Sequence, residues 1–362
     1  MSQPTKSASS GIPPESRKWK AAFPLAAMIN IVLLIAAFAV PSTAAVGGVT
    51  AAAVTPIRAA FYYPWFPETE HWSTHYSPSL GKYNSSDMAT LNAHVSQAKY
   101  AGLDAFVSSY WGKASKTAQR LPLLLNAARA QNFHITPYYE PESNATPPTS
   151  AALRADFDAL AAVSKDSAWL TVGGKPVLFT YNTGKESSCA GVDRIMTAAG
   201  GRFYINAKVF SGYLSCATQP DSWHQYGPAA AYDQQGALSA TVSPGFYKFN
   251  ESGARLSRDI TRFKSDLARQ VASEATWQLV TTFNEWGEGT SVESAAEWRS
   301  PDGMGTAVVC AWENRRLPVR TMRRRLEQFG SGQAISASLV IQSLGWLSRC
   351  LAAIRGSTAA ME

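Results

Sequence analysis

Two glutamates with the spacing of an acid–base pair lie in the segment Phe283-Asn-Glu-Trp-Gly-Glu-Gly-Thr290. Glu285 and Glu288 are three residues apart, and Gly287 and Gly289 free the backbone so that both carboxyls can point into one cleft. Such a pair suits cleavage of a glycosidic bond, because one carboxyl protonates the leaving oxygen while the other carboxylate assists attack at the anomeric carbon. The alternative interpretation is a strand-end turn with solvated acids, since acidic loops are common.

Other polar and aromatic side chains are candidates for contacting a substrate. Glu140, in a Tyr-Tyr-Glu-Pro segment, is flanked by rings that would partly desolvate it, which suits a sugar-binding carboxylate or a structural acceptor for loop N–H groups. Trp286 lies between the two acids, where it would wall the sugar or exclude water. Tyr62 and Tyr63 alternate in direction on a strand, so at most one of them faces a given side of a sheet. The remaining candidates for substrate contact are Tyr63, Trp65, Trp111, Tyr139 and Asn284.

The elements that would position these residues alternate between strand-like and helix-like segments, which predicts a parallel sheet of the α/β class. Eight such strands close into a (β/α)8 barrel, or TIM barrel. The predicted strands are short and rich in β-branched or aromatic residues: 58–66, 103–110, 134–140, 176–182, 202–210, 229–234, 238–246 and 277–283. The predicted helices are 87–101 with Ser86 as N-cap, 117–131, 150–165, 192–199 and 255–274.

A barrel would bring the candidate residues together. Catalytic groups in TIM barrels lie at the C-terminal ends of the strands, and five polar or aromatic clusters fall there: 63–66, 108–112, 138–142, 181–182 and 284–290. We therefore expect them on one rim. A doubly wound open sheet is the structural alternative, although no Gly-x-Gly-x-x-Gly or Walker segment supports a nucleotide-binding version.

The overall charge of +7 comes from the two ends of the chain. The tail after Thr306 has eight arginines against three glutamates, and the first 44 residues have four cations against one glutamate. The body between them is almost neutral, which gives no electrostatic footprint for nucleic acid and indicates an uncharged substrate. The 11 Trp, 14 Tyr and 15 Phe would fill a core and also suit a cleft that stacks rings on sugars.

Residues 1–45 have the pattern of an export signal. Arg17, Lys18 and Lys20 precede the uncharged segment 21–40, and the small residues of 41–45 offer a cleavage site. A cleaved signal peptide is the favoured interpretation and a retained signal anchor the alternative, in which residues 21–40 alone would contact a membrane. We expect the protein to be secreted or extracytoplasmic.

The predicted organisation continues with a linker at 46–57, a single barrel domain at 58–306 and an Arg-rich tail at 307–362. The tail has no lysine and no clear amphipathic repeat, so the sequence predicts no structure for it. Its abrupt change in composition suggests the hypothesis that the tail is read in a shifted frame. Sequencing the gene across Gly305 would test that hypothesis.

The four cysteines allow disulfides in an oxidising compartment. Cys189 and Cys216 are the favoured pair because both lie in loop-like, Gly/Ser-rich surroundings, and isolated thiols are the alternative. No Cys-x-x-Cys occurs and the five histidines lack zinc-ligand spacing, so we expect neither a metal nor a cofactor. The expected partner is an oligo- or polysaccharide, bound by a monomer.

Several of these segments together resemble glycoside hydrolase family 99, the endo-α-mannosidases and endo-α-mannanases. The resemblance runs in order from about Arg58 to Thr306 and includes Phe-Tyr-Tyr-Pro-Trp, His-Trp, Tyr-Tyr-Glu-Pro and Val-Ser-Pro-Gly-Phe. Its most specific part is Phe-Asn-Glu-Trp-Gly-Glu-Gly-Thr-Ser-Val-Glu, residues 283–293.

The resemblance implies a TIM barrel that hydrolyses α-mannosidic linkages with retention and without a metal. In that family the first motif Glu deprotonates the substrate's own 2-hydroxyl, which attacks C1, and the second motif Glu is the general acid. These roles map to Glu285 and Glu288. The resemblance also maps Glu140 to a substrate-binding Glu, and Tyr63 and Trp111 to wall positions.

Gly287 is a departure from the family, whose best-known members have His there. Gly287 and the unusual tail favour one alternative to the hydrolase, a carbohydrate-binding protein that lost catalysis, and an uncleaved segment 21–40 would support another, a membrane-anchored enzyme of polysaccharide assembly. The presence of both Glu285 and Glu288 favours the hydrolase, because a pure binder has no need of two adjacent acids.

Overall fold

The structure, a computed structural model, describes residues 55–144, 146–181 and 187–296. The predicted export signal, most of the linker and the tail at 307–362 lie outside the described residues. Within the described ranges, no helix is long and apolar enough to cross a membrane.

Parallel strands form a nearly closed barrel. The strands are β1 Ile57–Tyr62, β2 Ala105–Tyr110, β3 His134–Tyr139, β4 Thr171–Val172, β5 Lys175–Thr180, β6 Tyr204–Lys208, β7 Ser222–His224, β8 Tyr232–Gln235, β9 Ser239–Val242 and β10 Trp277–Val280. Their order in the sheet is β7-β6-β5-β3-β2-β1-β10-β9-β8, and every pair along this path is parallel except β8 with β9. The short β4 pairs antiparallel with β5. The predicted (β/α)8 architecture is confirmed.

Side chains bridge the gap between β7 and β9, where the backbone ladder is open. The hydroxyl of Thr241 donates to the carbonyl of Gln225 at 2.7 Å, and the hydroxyl of Ser243 donates to the carbonyl of Pro228 at 2.7 Å. The hydroxyl of Thr281, just after β10, also donates to the carbonyl of Tyr226. These bonds hold the segment after β7 against the end of the barrel that carries the candidate residues.

Five helices cover the outside of the described barrel: α1 Met88–Tyr100, α2 Lys116–Ala130, α3 Ser150–Val163, α4 Cys189–Ala199 and α5 Ile260–Ala272. The prediction of Ser86 as the N-cap of α1 is wrong. Asp87 caps this helix, and its carboxylate accepts from the backbone N–H groups of Ala89 and Thr90. A carboxylate suits this place because it also faces the positive end of the helix dipole.

The prediction of a sixth barrel strand at 229–234 is also wrong. The sixth parallel strand is Ser222–His224, whereas Tyr232–Gln235 is the antiparallel hairpin partner of β9. The true strand has only three residues, so it is too short to show a period-2 pattern. The hairpin strand Tyr232–Gln235 is longer and lies between two predicted strands, so the sequence pattern indicates a barrel strand there.

Alternation along the strands separates two apolar layers. One layer fills the barrel interior with Phe61, Tyr63, Tyr138, Phe179, Trp277 and Leu279, among others. The other packs the outer face of the sheet against the helices and includes Tyr62, Phe106, Tyr139 and Phe157. Tyr63 thus points inward and Tyr62 outward, as the alternation predicts. Each fully buried aromatic of this kind stabilises the fold by roughly 1.5–3 kcal/mol.

The favoured disulfide is present. Cys189, the first residue of α4, is joined to Cys216 with an S–S distance of 2.04 Å. The other two cysteines, Cys310 and Cys350, lie outside the described residues. The disulfide links the start of α4 to the segment between β6 and β7, where no α-helix lies among the described residues.

Candidate active site

The loop after β10 carries the two acids, and its own hydrogen bonds fix its shape. The hydroxyl of Thr282 accepts from the N–H of Glu285 at 2.9 Å, and the N–H of Thr282 donates to the carbonyl of Thr290 at 3.0 Å. The buried guanidinium of Arg258 donates to the carbonyls of Gly289 and Ser291, both at 2.8 Å. The loop is therefore a closed, internally bonded turn at the C-terminal mouth of the barrel.

Glu285 and Glu288 are brought together by this turn. The N–H of Glu288 donates to Oε1 of Glu285 at 3.3 Å. Glu285 is only 6% exposed, whereas the side chain of Glu288 is 23% exposed. Glu288 Oε2 accepts from the hydroxyl of Tyr226 at 2.9 Å, and its Oε1 lies 4.0 Å from the ammonium of Lys248.

These environments change the proton affinity of both acids. Burial, and next the charge of Glu288, raise the pKa of Glu285 well above that of a free carboxyl. Burial also raises the pKa of Glu288, but the Tyr226 hydrogen bond and the charge of Lys248 act in the opposite direction. Burial thus favours the protonated form of each acid, and the charge of Glu288 adds to this effect on Glu285. Two close carboxyls, one protonated and one ionised, can act as an acid and a base.

Glu140 and Tyr63 face the same pair. Glu140 follows β3, is 4% exposed and accepts a hydrogen bond from the hydroxyl of Ser109. Burial and then the charges of Glu140, Glu288 and Glu285 raise the pKa of Tyr63, so its hydroxyl lies within the field of all three carboxyls. The structure thus brings four of the predicted residues to one place.

Three other candidates are fully buried and bonded within the protein, and substrate contact by them stays a prediction. Asn284 joins two strand ends: its side-chain oxygen accepts from the N–H of Tyr63 at 2.7 Å, and its Nδ2 donates to the carbonyl of Tyr63 at 3.0 Å. Tyr139 faces α3, where its hydroxyl donates to Asp156 at 2.9 Å. Trp286 packs into a cluster with Phe66, Tyr76 and Tyr83. Their residue types suit contact with a sugar, but in the structure their side chains point into the protein core.

The rim tryptophans are better placed for a ligand. Trp65 is partly exposed, and its ring stacks on His71 with a centroid distance of 4.2 Å and an interplanar angle of 3°. Trp65 also contacts the ring of Tyr63 at 4.4 Å. Trp111 follows β2 and is likewise partly exposed. A sugar in the mouth of the barrel would lie near these surfaces, and their role in binding stays a prediction.

Solved structures of known proteins share this barrel. The GH99 endo-alpha-mannosidase of Bacteroides thetaiotaomicron matches with a TM-score of 0.58 and 18% identity, over 76% of this chain and 98% of that one. Its complex with bis-tris propane gives a TM-score of 0.57 and 19% identity, over 75% and 98%. The chain shares the barrel fold of these two structures. A glycoside hydrolase-like protein matches with a TM-score of 0.52 and 16% identity, over 70% and 91%. No family model matches the sequence, and no curated protein does.

Behind the acidic loop of this barrel lies a buried polar network centred on Glu293. Its Oε2 accepts from the hydroxyl of Tyr83 at 2.8 Å and from the indole N–H of Trp286 at 3.0 Å. Its Oε1 lies 3.1 Å from Nε2 of His94, whose Nδ1 lies 3.0 Å from the hydroxyl of Tyr62. The network anchors Trp286, and so the spacing of the two acids on either side of it.

Two residues of this site, Tyr226 and His94, were not predicted from the sequence. Tyr226 follows the three-residue strand β7, which the sequence did not show, so nothing placed its hydroxyl beside Glu288. His94 lies on α1, far from the motif in sequence, and a single histidine on a helix gives no signal of its own. Glu293 ends the recognised motif, which is the one feature that pointed to it. Among the described residues, no cluster of His, Cys, Asp and Glu is arranged to hold a metal ion.

Proposed function

We propose that the protein is a glycoside hydrolase that cleaves α-linked neutral glycans, with α-mannosides as the leading substrates. The observation that carries this proposal is the Glu285–Glu288 pair at the mouth of the barrel, where each acid has a different environment. The barrel fold shared with the GH99 endo-alpha-mannosidase structures supports it, as does the location of the pair, because TIM-barrel enzymes place their chemistry at this end.

In the proposed first step Glu285 takes the proton of the substrate's 2-hydroxyl. The freed oxygen bonds to C1 as the C1–leaving-group bond breaks, and Glu288 gives its proton to the departing oxygen. Water then attacks C1 of the anhydro-sugar, giving its proton to Glu288, while Glu285 returns a proton to O2. Each acid ends as it began, and two displacements at C1 give retention.

Substrate binding would favour opposite protonation states of the two acids. A 2-hydroxyl donates a hydrogen bond to Glu285 and so favours its ionised form, whereas a glycosidic oxygen is only an acceptor and favours protonated Glu288. The bond from Tyr226 opposes the effect of burial on the pKa of Glu288, which helps this acid to give up its proton. The two acids could then take the base and acid roles inside the complex.

The deciding experiment is sugar release from a panel of α-mannans and other neutral glycans by the wild type, Glu285→Gln and Glu288→Gln. We expect each substitution to lower the rate by about 10²–10⁴. The Glu288→Gln loss should shrink on aryl glycosides with good leaving groups, and the Glu285→Gln loss should not. NMR of the first-formed anomer tests retention. Binding without cleavage by the wild type would instead favour a carbohydrate-binding protein on a hydrolase scaffold.

We also propose that the protein works outside the cytoplasm. The Cys189–Cys216 disulfide supports this, because disulfides persist in oxidising compartments. Fractionation of the host with an antibody to the barrel tests it, and comparison of the mature N-terminus with the 41–45 region distinguishes a cleaved peptide from an anchor. Recovery in the cytoplasm with intact residues 1–45 would contradict the proposal.

A further inference from the structure

A lysine in the barrel mouth has no part in the mechanism above. Lys208 is the last residue of β6, and the alternate residues before it point into the barrel. The ring of Tyr204 contacts that of Trp277 at 6.1 Å, and Oδ1 of Asn206 lies 3.1 Å from Nδ1 of His224. By the same alternation Lys208 enters the interior at the C-terminal end of its strand, the end that carries Glu285 and Glu288.

The ammonium of Lys208 contacts the same group of aromatic rings that includes Tyr226, the residue that donates to Glu288. Its Nζ lies 5.0 Å from the centroid of the Tyr181 ring. The Tyr181 ring meets that of Tyr226 edge-on at 5.9 Å, and the hydroxyl of Tyr226 donates to Glu288. Tyr181 therefore stands between the lysine and the residue that contacts the acid.

Among the residues that the structure describes, no carboxylate pairs with the charge of Lys208. Within the described parts of the chain, no Asp or Glu oxygen lies within 4.0 Å of its Nζ, whereas Lys175 and Lys248 each have such a neighbour. The residue is only partly exposed, and burial lowers its pKa. Holding an unpaired ammonium in such a place costs free energy, and a methionine would pack on Tyr181 without that cost. Among the described residues, no hydrogen-bond acceptor or carboxylate partner is found for this ammonium, whose contact there is the Tyr181 ring.

We propose that Lys208 and Tyr181 form a sugar-binding subsite, in which the ammonium donates to hydroxyl oxygens of a neutral pyranose that lies against the Tyr181 side of the mouth. The proposal rests on the proposed function and names a specificity residue within it. Neutral sugars fit because Glu140, Glu285 and Glu288 share the mouth, and their charges would repel an acidic glycan. A hydroxyl oxygen accepts from an ammonium at no such penalty.

The test compares Lys208→Met with Lys175→Met, a lysine at the opposite end of a neighbouring strand whose side chain is 51% exposed. The probes are the neutral α-glycans of the cleavage panel, with the oligosaccharide that the wild type cleaves best as reference. We expect KM for that oligosaccharide to rise about 10-fold in Lys208→Met, the loss of one good charged hydrogen bond, with kcat within about threefold. Lys175→Met should match the wild type.

Calorimetric binding of the same glycans makes the inference independent of turnover. If the wild type binds a glycan without cleaving it, the proposed function fails, and a weaker Kd in Lys208→Met still supports the subsite. An unchanged KM and Kd would overturn the subsite even if the enzyme is active. A fall in kcat with a displaced pH profile would overturn it too, because it would mean that Lys208 acts on the acids electrostatically. If the wild type binds no neutral glycan, both the proposed function and the Lys208–Tyr181 subsite are contradicted.

Discussion

The hydroxyl of Tyr226 donates to Oε2 of Glu288 at 2.9 Å, although the two residues are 62 positions apart in the chain. This bond favours the ionised form of Glu288 and so opposes the effect of burial on its pKa. It also ties the acidic loop to the segment that follows the sixth parallel strand. The proton affinity of one acid thus depends on how the last part of the barrel closes.

Tyr226→Phe should raise the pKa of Glu288, because the substitution removes a donor to the carboxylate and leaves the ring in place. If Glu288 is the general acid, the alkaline limb of the kcat/KM–pH profile should move up by about one pH unit. The maximal rate should fall by roughly tenfold as the carboxyl loses its fixed position. The measurement is a full pH profile on an aryl α-mannoside, and a downward move of the alkaline limb would contradict the assignment.

Glu285→Gln should stabilise the protein at neutral pH while it abolishes activity. The pKa of Glu285 is raised on folding above the reference value of 4.5. Above that pH the folded protein keeps a proton that the unfolded chain releases, so the free energy of unfolding falls as pH rises through the folded-state pKa. We expect a gain of about 1 kcal/mol, or roughly 2–4 °C in Tm, at pH 7.

Calorimetry at pH 7 and at pH 4 separates this effect from a change in packing. The gain in Tm should disappear at the lower pH, where the carboxyl is protonated in both states. Glu288→Gln is the matched comparison, with a smaller gain because Glu288 is more exposed and has Tyr226 and Lys248 beside its charge. An equal loss of stability in both variants would argue against buried, mutually repelling acids.

Glu293→Gln should lower kcat more than it alters KM. The carboxylate accepts from Tyr83, Trp286 and His94, and an amide offers one acceptor oxygen and one NH2 group in its place. At least one donor loses its partner, at a cost of about 1–3 kcal/mol in stability. Because Trp286 lies between the two acids, we expect kcat to fall more than tenfold.

Gln270→Met controls for stability alone in that experiment. Gln270 is fully buried on α5 and donates to the carbonyls of Ala240 and Leu279, away from the acidic loop. We expect this variant to lose comparable stability and to keep its kcat when assayed well below its Tm. Equal kcat losses in both variants would mean that Glu293 acts only through global stability.

Gly289→Ala should disrupt the acidic loop. Gly289 has φ +63°, and a Cβ there would lie 2.7 Å from the carbonyl oxygen of Tyr247 and 2.9 Å from the Tyr76 ring. Gly81 has a similar φ of +71° with nothing within 4 Å of its Cβ, so Gly81→Ala measures the backbone strain alone. We expect about 1 kcal/mol lost at Gly81 and at least 2 kcal/mol more at Gly289, by denaturant unfolding. Similar losses at both positions would show that the loop can move aside.

Much of the site's location follows from the sequence alone. The alternation of strands and helices predicts a barrel, and a barrel forces strand ends to share one rim, so Glu140, Glu285 and Glu288 were expected together. Period-2 alternation, a local property of any strand, predicts that at most one of Tyr62 and Tyr63 faces the barrel interior, and the structure shows that it is Tyr63. The Cys189–Cys216 pairing also came from local composition, and it is present in the structure.

The directions of side chains outside regular strands depend on the tertiary structure. Asn284 and Trp286 have the residue types of a sugar site, but contacts with Tyr63 and Glu293 turn them into the core. The three-residue strand β7 exists because β6 pairs with it, and no local pattern reveals so short an element.

Tyr226 and Lys208 reach the mouth only because the barrel curves round to bring distant strands together. Local sequence sets which residues alternate and where a turn can form, since those depend on neighbours in the chain. Contacts between residues far apart in sequence decide which carboxyl meets which hydroxyl and which ring meets the Lys208 ammonium. For this protein the sequence determined the barrel and the acidic loop, and the tertiary structure determined the partners that give each acid its proton affinity.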